Sequence, residues 1–485
     1  MTSRHRHPFT HVAKRWLYVT HRWIGIVTCL LFAIWFASGL VMIYVPYPSA
    51  SQAERIAAQQ PIDWRRVSIL PQAAGDGAPQ SLVLEMRDTV PVWRIAHWTG
   101  ERETLAAAPG VVLPPVTASW AAQTAGRFAN TSVRSVEQIE RDQWTVAGGF
   151  SPHRPLWKVA LADDAGTELY VSASSGTIVQ ATTRSERFWN WLGSVPHWIY
   201  PTIIRQDAGV WRQVVLWVSG PCIAAAVTGI WVGLLRTRIG QRRFRGGRMT
   251  PYHGWMLWHH VAGLAGGLFL LTWIFSGWLS VDPGYAFTSP DPDAQAEQAY
   301  SASAPLPPVD LARLGALATG AKRATVSVHA GQALVTLDYA DRPRRILSAA
   351  SLTEASADRA AIERAARGLV PDGKLVQSDL LTAPDSYYYD IGALPPLPVL
   401  RLKFDDPART WFYIDPATGE GLQRLDSRRR AYRWLYDMLH KWDLSSLTLH
   451  RPLWDILLWT FSIFGLVTSI SGVWIGWKRL RHTPR

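Results

Sequence analysis

Four long apolar runs punctuate the chain, at residues 24–45, 210–235, 261–281 and 453–477. An α-helix needs roughly 20 apolar residues to cross about 30 Å of hydrocarbon, so the pattern predicts four membrane-spanning helices. Two long segments lie between them, 46–209 and 282–452, in which short apolar and polar blocks alternate around Asp, Gly and Pro. That alternation predicts strands. Residues 157–161 and 168–171 form one hairpin around Asp163-Asp164-Ala165-Gly166, and 399–404 and 410–414 another around Asp405-Asp406-Pro407. Residues 415–419 follow as a turn, and 82–86 and 333–338 add a strand to each segment. Residues 132–143 and 357–368 read as helices, while the Pro- and Ala-rich stretches 104–118 and 302–308 read as linkers. Ahead of the second and fourth spans, 187–200 and 432–442 carry Trp, Leu and Tyr at helical spacing and predict interfacial helices.

Charge orients this framework. The net charge is +13, and the basic side chains outside the spans concentrate in 1–22, 236–250 and 478–485, three segments without Asp or Glu. Short basic segments stay in the cytoplasm, which puts both termini and the 236–252 loop inside. The basic balance is therefore a topology signal, and no nucleic-acid partner is expected. The first run exceeds the 7–15 residues of a signal-peptide core and reads as a retained helix. The expected order is a cytoplasmic N-terminus (1–23), a span (24–45), an outer domain (46–186), an interfacial helix (187–209) and a span (210–235). A cytoplasmic loop (236–252), a span (253–281), a second outer domain (282–426), an interfacial helix (427–452), a span (453–477) and a tail (478–485) complete it. The fold class is an integral membrane protein, mainly α, with α+β outer domains.

The chain also repeats itself. A shift of 238 places His21 on His259, Gly25 on Gly263, Trp35 on Trp273 and Ser38-Gly39 on Ser276-Gly277. A shift of 243 places His197 on His440, Trp211 on Trp454, Trp231 on Trp474, Tyr170 on Tyr413 and Gly176 on Gly419. Two duplicated halves are implied, each with a span, an outer domain, an interfacial segment and a span. Such duplications put sites at the interface between copies.

The motif His21-Arg22-Trp23-Ile24-Gly25 opens the first span, and two turns share a pattern: Tyr170-Val-Ser-Ala-Ser-Ser-Gly176 and Tyr413-Ile-Asp-Pro-Ala-Thr-Gly419. With the closing Ser471-Gly472-Val473-Trp474, these residues resemble the PepSY-associated transmembrane proteins over essentially the whole chain. Similar members include di-haem ferric-siderophore reductases of the bacterial inner membrane. The resemblance implies a four-helix core carrying two b-type haems, PepSY-like periplasmic domains, and a ferric-siderophore complex as electron acceptor. No CxxCH is present, so any haem is held non-covalently.

Haem iron that only carries electrons takes two axial ligands, and neutral imidazole suits the role. Of fourteen histidines, four fall in symmetric pairs. His21 and His259 sit at the cytoplasmic ends of the first and third spans and are expected to bind one haem iron. His197 and His440, in the interfacial segments, are expected to bind the other near the periplasmic face. Small residues on the turns below, Gly25, Thr28 and Cys29 on one side and Gly263, Gly266 and Gly267 on the other, leave room for a flat group or serve helix contact. His260, His253 and His450 are the alternative ligands. His5, His7, His11 and His482 read as solvated terminal residues, and Trp16, Trp189, Trp198, Trp278 and Trp454 as interfacial belt residues. Arg22 and Arg205 are candidate propionate partners. His153 and the cluster Asp385-Ser386-Tyr387-Tyr388-Tyr389 are candidate acceptor contacts. The cytoplasmic segments carry no dinucleotide fingerprint, which calls for a separate donor, a quinol or a flavoprotein. The rival function is a non-redox membrane module whose PepSY-like domains bind a peptide, protease or partner protein.

Overall fold

The computed structural model describes residues 8–71, 79–240, 243–290, 293–301, 306–391 and 394–481. His5, His7, His482 and residues 302–305 of the second expected linker lie outside them. The chain divides into a helical unit (1–47, 185–287 and 432–485) and a sheet unit (48–184 and 288–431).

In the helical unit, among the described residues, three continuous helices are long and apolar enough to cross a membrane: Pro8–Met42, Ala208–Leu235 and Arg451–Arg481. The third expected span departs from a single helix. It is built from Gly254–Ala265 and Gly267–Leu279, which meet at Gly266 with a bend of 66°. Glycine costs a helix interior its rigidity, and here it also permits close approach. A Cβ on Gly266 would lie 2.8 Å from Phe464 of the fourth span, and one on Gly267 would lie 3.0 Å from Ile230 of the second. A buried cluster of Phe32, Phe36, Cys222, Ala225, Ala226 and Ile274 packs between the spans.

The interfacial segments are helical but broken into short pieces. The first contains Arg184–Leu192 and Ser194–His197. The second runs Ser427–Tyr432, a π-helical turn Arg433–Met438, and Leu439–Lys441.

The sheet unit contains fourteen strands in three antiparallel sheets among the described residues. The first half contributes β1 (Ser81–Arg87), β2 (Val90–Ala96), β3 (Arg102–Ala106), β4 (Val133–Ile139), β5 (Leu156–Leu161), β6 (Glu168–Ser172) and β7 (Ile178–Thr182). The second contributes β8 (Arg323–His329), β9 (Gln332–Asp338), β10 (Arg345–Ser348), β11 (Leu375–Leu381), β12 (Val399–Phe404), β13 (Trp411–Ile414) and β14 (Gly421–Leu425). The largest sheet runs β10-β9-β8-β1-β2-β3, so one meander from each half meets at the β1–β8 pair. Its core includes Leu82, Leu84, Trp93, Leu314, Val335 and Leu337. The two four-stranded sheets, β4-β5-β6-β7 and β11-β12-β13-β14, share the same order and each packs a helix, Ala118–Ala129 and Arg359–Ala366 respectively. Thr117 and Asp358 cap those helices by accepting hydrogen bonds from backbone N–H groups of the first turn.

The structure corrects two local expectations. Residues 132–143 hold strand β4, not a helix. As an edge strand it is half exposed on both faces, so it lacks the apolar alternation of a covered strand. The expected linker 104–118 opens inside strand β3 and ends on the first residue of the helix Ala118–Ala129. The hairpins β5–β6 and β12–β13, strands β1 and β9, and the helix Arg359–Ala366 fall where the alternation and turn residues put them.

Candidate functional site

Within the helical unit the four paired histidines converge two by two. The imidazole centres of His21 and His259 are 6.3 Å apart, and those of His197 and His440 are 6.0 Å apart. Two metal–imidazole bonds of about 2 Å, with about 1 Å from each ring nitrogen to its ring centre, put the centres of a metal-bridged pair about 6 Å apart. Aromatic rings in ordinary contact reach similar separations.

Each imidazole is anchored through Nδ1. His21 Nδ1 lies 3.2 Å from the carbonyl of Ala225, and His259 Nδ1 lies 2.8 Å from that of Thr468. Ala225 and Thr468 themselves correspond under the 243 shift. A carbonyl only accepts, so in both residues Nδ1 carries the proton and donates it. His197 Nδ1 contacts the carbonyl of Trp35 at 3.2 Å and Ser38 Oγ at 3.1 Å, and His440 Nδ1 contacts Ser276 Oγ at 3.0 Å. The two serine hydroxyls spend their single protons on the carbonyls of Trp35 and Trp273, at 3.1 Å each, so they too accept from the imidazoles. All four rings are thereby fixed in one tautomer, with the Nε2 lone pair unprotonated and without a hydrogen-bond partner among the described residues. Acceptors of this kind, bonded to the far ring nitrogen, orient metal-binding histidines.

Glycines make the space. Gly39 lies against His197 and Gly277 against His440, where a Cβ would be 3.2 and 3.5 Å from Cε1. Gly229 lies against His21 and Gly472 against His259, at 2.8 and 3.3 Å. The face beneath His21 keeps open space at Gly25, where a Cβ would meet nothing within 4 Å. On the other side the expectation needs correction, because Gly263, Gly266 and Gly267 face Thr468, Phe464 and Ile230 and serve helix packing. The indole N–H groups of Trp35 and Trp273 are buried without a hydrogen-bond partner, one turn before Ser38 and Ser276. Among the described residues, no cluster of three or more His, Cys, Asp or Glu side chains could hold a bare metal ion. Two imidazoles with free Nε2 atoms, and open space at Gly25 below His21, would instead suit a group that brings its own equatorial donors, such as haem.

The segments presenting His197 and His440 are clamped alike. Trp211 Nε1 donates to the carbonyl of Trp198 at 2.9 Å, and Trp454 Nε1 to that of Lys441 at 3.0 Å. These carbonyls belong to the residues just after the two histidines. Trp454 is thus buried structure rather than a belt residue. A buried ion pair of 2.8 Å between Arg433 and Asp443 closes the turn around His440. Sequence reasoning missed Gly229, Gly472 and both clamps, although the 243 shift relates Gly229 to Gly472 and Trp211 to Trp454.

The alternative ligands lie elsewhere. His260 packs on Tyr252 with Nε2 3.2 Å from Thr237 Oγ1, His253 contacts Arg248, and His450 bonds the carbonyl of Ser446. Arg205 stacks on Tyr200 and Trp211. In the sheet unit, Tyr388 is buried and stacks on Tyr413, while Asp385 accepts from Arg401, Tyr413 and the backbone N–H groups of Tyr387 and Tyr388. That cluster is packed structure. His153 by contrast lines an open cleft.

Apolar helices presenting paired imidazoles, joined to antiparallel sheets, define a membrane-associated α+β protein. A family model described as the PepSY-associated TM region matches residues 18–352, and the chain belongs to that family. No curated protein matches it.

Proposed function

We propose that the protein is an inner-membrane b-type di-haem carrier that passes electrons to a periplasmic acceptor, most directly a ferric-siderophore complex. The observation that carries this reading is the two imidazole pairs, each about 6 Å between ring centres with every Nδ1–H donated outward. His21 and His259 would hold one iron toward the cytoplasmic face, and His197 and His440 the other toward the periplasmic face. Haem in such sites supplies one-electron chemistry at a potential set by its ligands and their hydrogen bonds.

The chain's own part is positioning. Donation from Nδ1 raises the basicity of each ligand and locks its ring. The first span carries His21 at one level and Ser38, the anchor of His197, seventeen residues on. At 1.5 Å per residue this separates the pairs by about 25 Å along the helix, close to the thickness of the hydrocarbon layer. The equivalent anchors in both halves, and the β1–β8 junction between two meanders, support a duplicated chain with the sites on its pseudo-two-fold. Both sheet halves then belong to the periplasm, and the short basic segments leave the electron donor as a separate quinol or flavoprotein.

The acceptor is tested in proteoliposomes. Protein reduced anaerobically and mixed with an external ferric chelate should reoxidise while a ferrous trap colours in equal amount. Haem that stays reduced in an intact preparation would exclude that acceptor.

A further inference from the structure

The sheet unit contains an open cleft of about 940 Å³, within the range of small-molecule sites. Alternation along β1 builds its floor: Leu82 and Leu84 face the core, while Ser81, Val83, Glu85 and Arg87 face the cleft. Arg94 on β2, Arg102 on β3, Arg323 on β8 and Arg55 on the helix Gln52–Ala58 join them. His153 closes one side, and the Ser174-Ser175 turn of the Tyr170–Gly176 motif lines another.

The positive charge exceeds what the protein neutralises. Glu85 is paired with Arg94 and also accepts from Gln59, and Glu103 pairs with His97 at 3.6 Å. Arg55 and Arg102 have no ion pair among the described residues. Arg87 is only 6% exposed, and its Nε is buried without a hydrogen-bond partner, as is Nε of Arg323. Burial lowers the pKa of His153 below its ordinary value, and the charges of Arg102, Arg94 and Arg55 lower it further. Guanidinium groups suit carboxylates because their planar forks bind two oxygens at once. Four of the five cleft arginines belong to the first half, and β8 of the second supplies Arg323.

We infer that this cleft binds a small polyanion through Arg55 and Arg102, with Arg87 and Arg323 at its floor. Resting on the function proposed above, the occupant is an anionic ferric chelate, bound through free carboxylate oxygens, in preference to a neutral one. Binding needs no electron transfer, so it is separable from the redox reading.

The test is titration calorimetry on the purified, oxidised full-length protein with ferric citrate, citrate alone and a neutral ferric trihydroxamate. The anionic probes should bind with an affinity that falls as salt rises. Arg55→Gln combined with Arg102→Gln should weaken ferric citrate by about ten-fold or more. The single exposed-site variant Arg102→Glu should do so as well, with the thermal melt unchanged. Equal affinity for the neutral chelate, or unchanged ferric citrate binding in both variants, would overturn the assignment. Arginine-dependent binding by a preparation without haem would keep the cleft and remove the redox reading; a haem-loaded preparation that fails to bind would do the reverse.

Discussion

Gly229 faces the imidazole of His21 so closely that a Cβ there would lie 2.8 Å from His21 Cε1. Four residues earlier on the same helix, the carbonyl of Ala225 holds the ring through Nδ1. Gly229→Ala should therefore push His21 off its position and weaken the proposed inner haem by about ten-fold or more, the scale of a disturbed ligand environment. The measurement is haem retained after challenge with apomyoglobin. Gly25→Leu, which fills open space on the same face, should also deplete the inner haem while leaving the thermal melt of the haem-free protein unchanged.

His197 and His440 serve the same iron in the proposed arrangement. His440→Ala and His197→Ala should each lower haem from two to one per chain and remove the same component of the reduced-minus-oxidised spectrum. His260→Ala should leave both haems in place, because its ring faces Thr237 and Tyr252. A His440→Ala protein that keeps two haems would dismantle the pairing.

Ser276 holds the proton of His440 while giving its own to Trp273. Ser276→Ala removes that acceptor and should cost about 10- to 100-fold in haem affinity at the outer site. Ser276→Thr should retain most of it. Midpoint potentials separate this from a folding defect: the outer haem should shift and the inner one should not.

His329, in the second half of the sheet unit, titrates outside the spans. Burial pushes its pKa down to about 4, with partial relief from Asp415. The unfolded chain takes up this proton near pH 6.5, whereas the folded chain resists it until about pH 4. Stability is therefore full above pH 6.5 and declines as pH falls toward 4, by at most about 3 kcal/mol from this group. His329→Leu should narrow the gap between melting temperatures measured at pH 7 and pH 5. An unchanged gap would mean that the ring is solvated.

Much of this is legible in the chain because the repeated spacing shows the same residue types twice. The shift of 238 picked out His259 over His260, and the shift of 243 picked out His440 over His450; those are the rings that meet. The 66° bend at Gly266 was not legible, since an apolar run gives the same signal whether straight or broken at a glycine. Strand β4 was misread because an edge strand need not alternate. The basic cleft was hidden for a different reason. Its arginines come from the helix Gln52–Ala58 and from strands β1, β2, β3 and β8, and only the pairing of β1 with β8 brings Arg323 beside Glu85.

Haem stoichiometry tests the central claim most directly. Pyridine haemochrome analysis of the purified protein, referenced to amino-acid content, should give two b-type haems per chain. It should give none when His21, His259, His197 and His440 are all replaced by alanine. A wild-type preparation, supplied with haem during expression, that carries no haem would contradict the account.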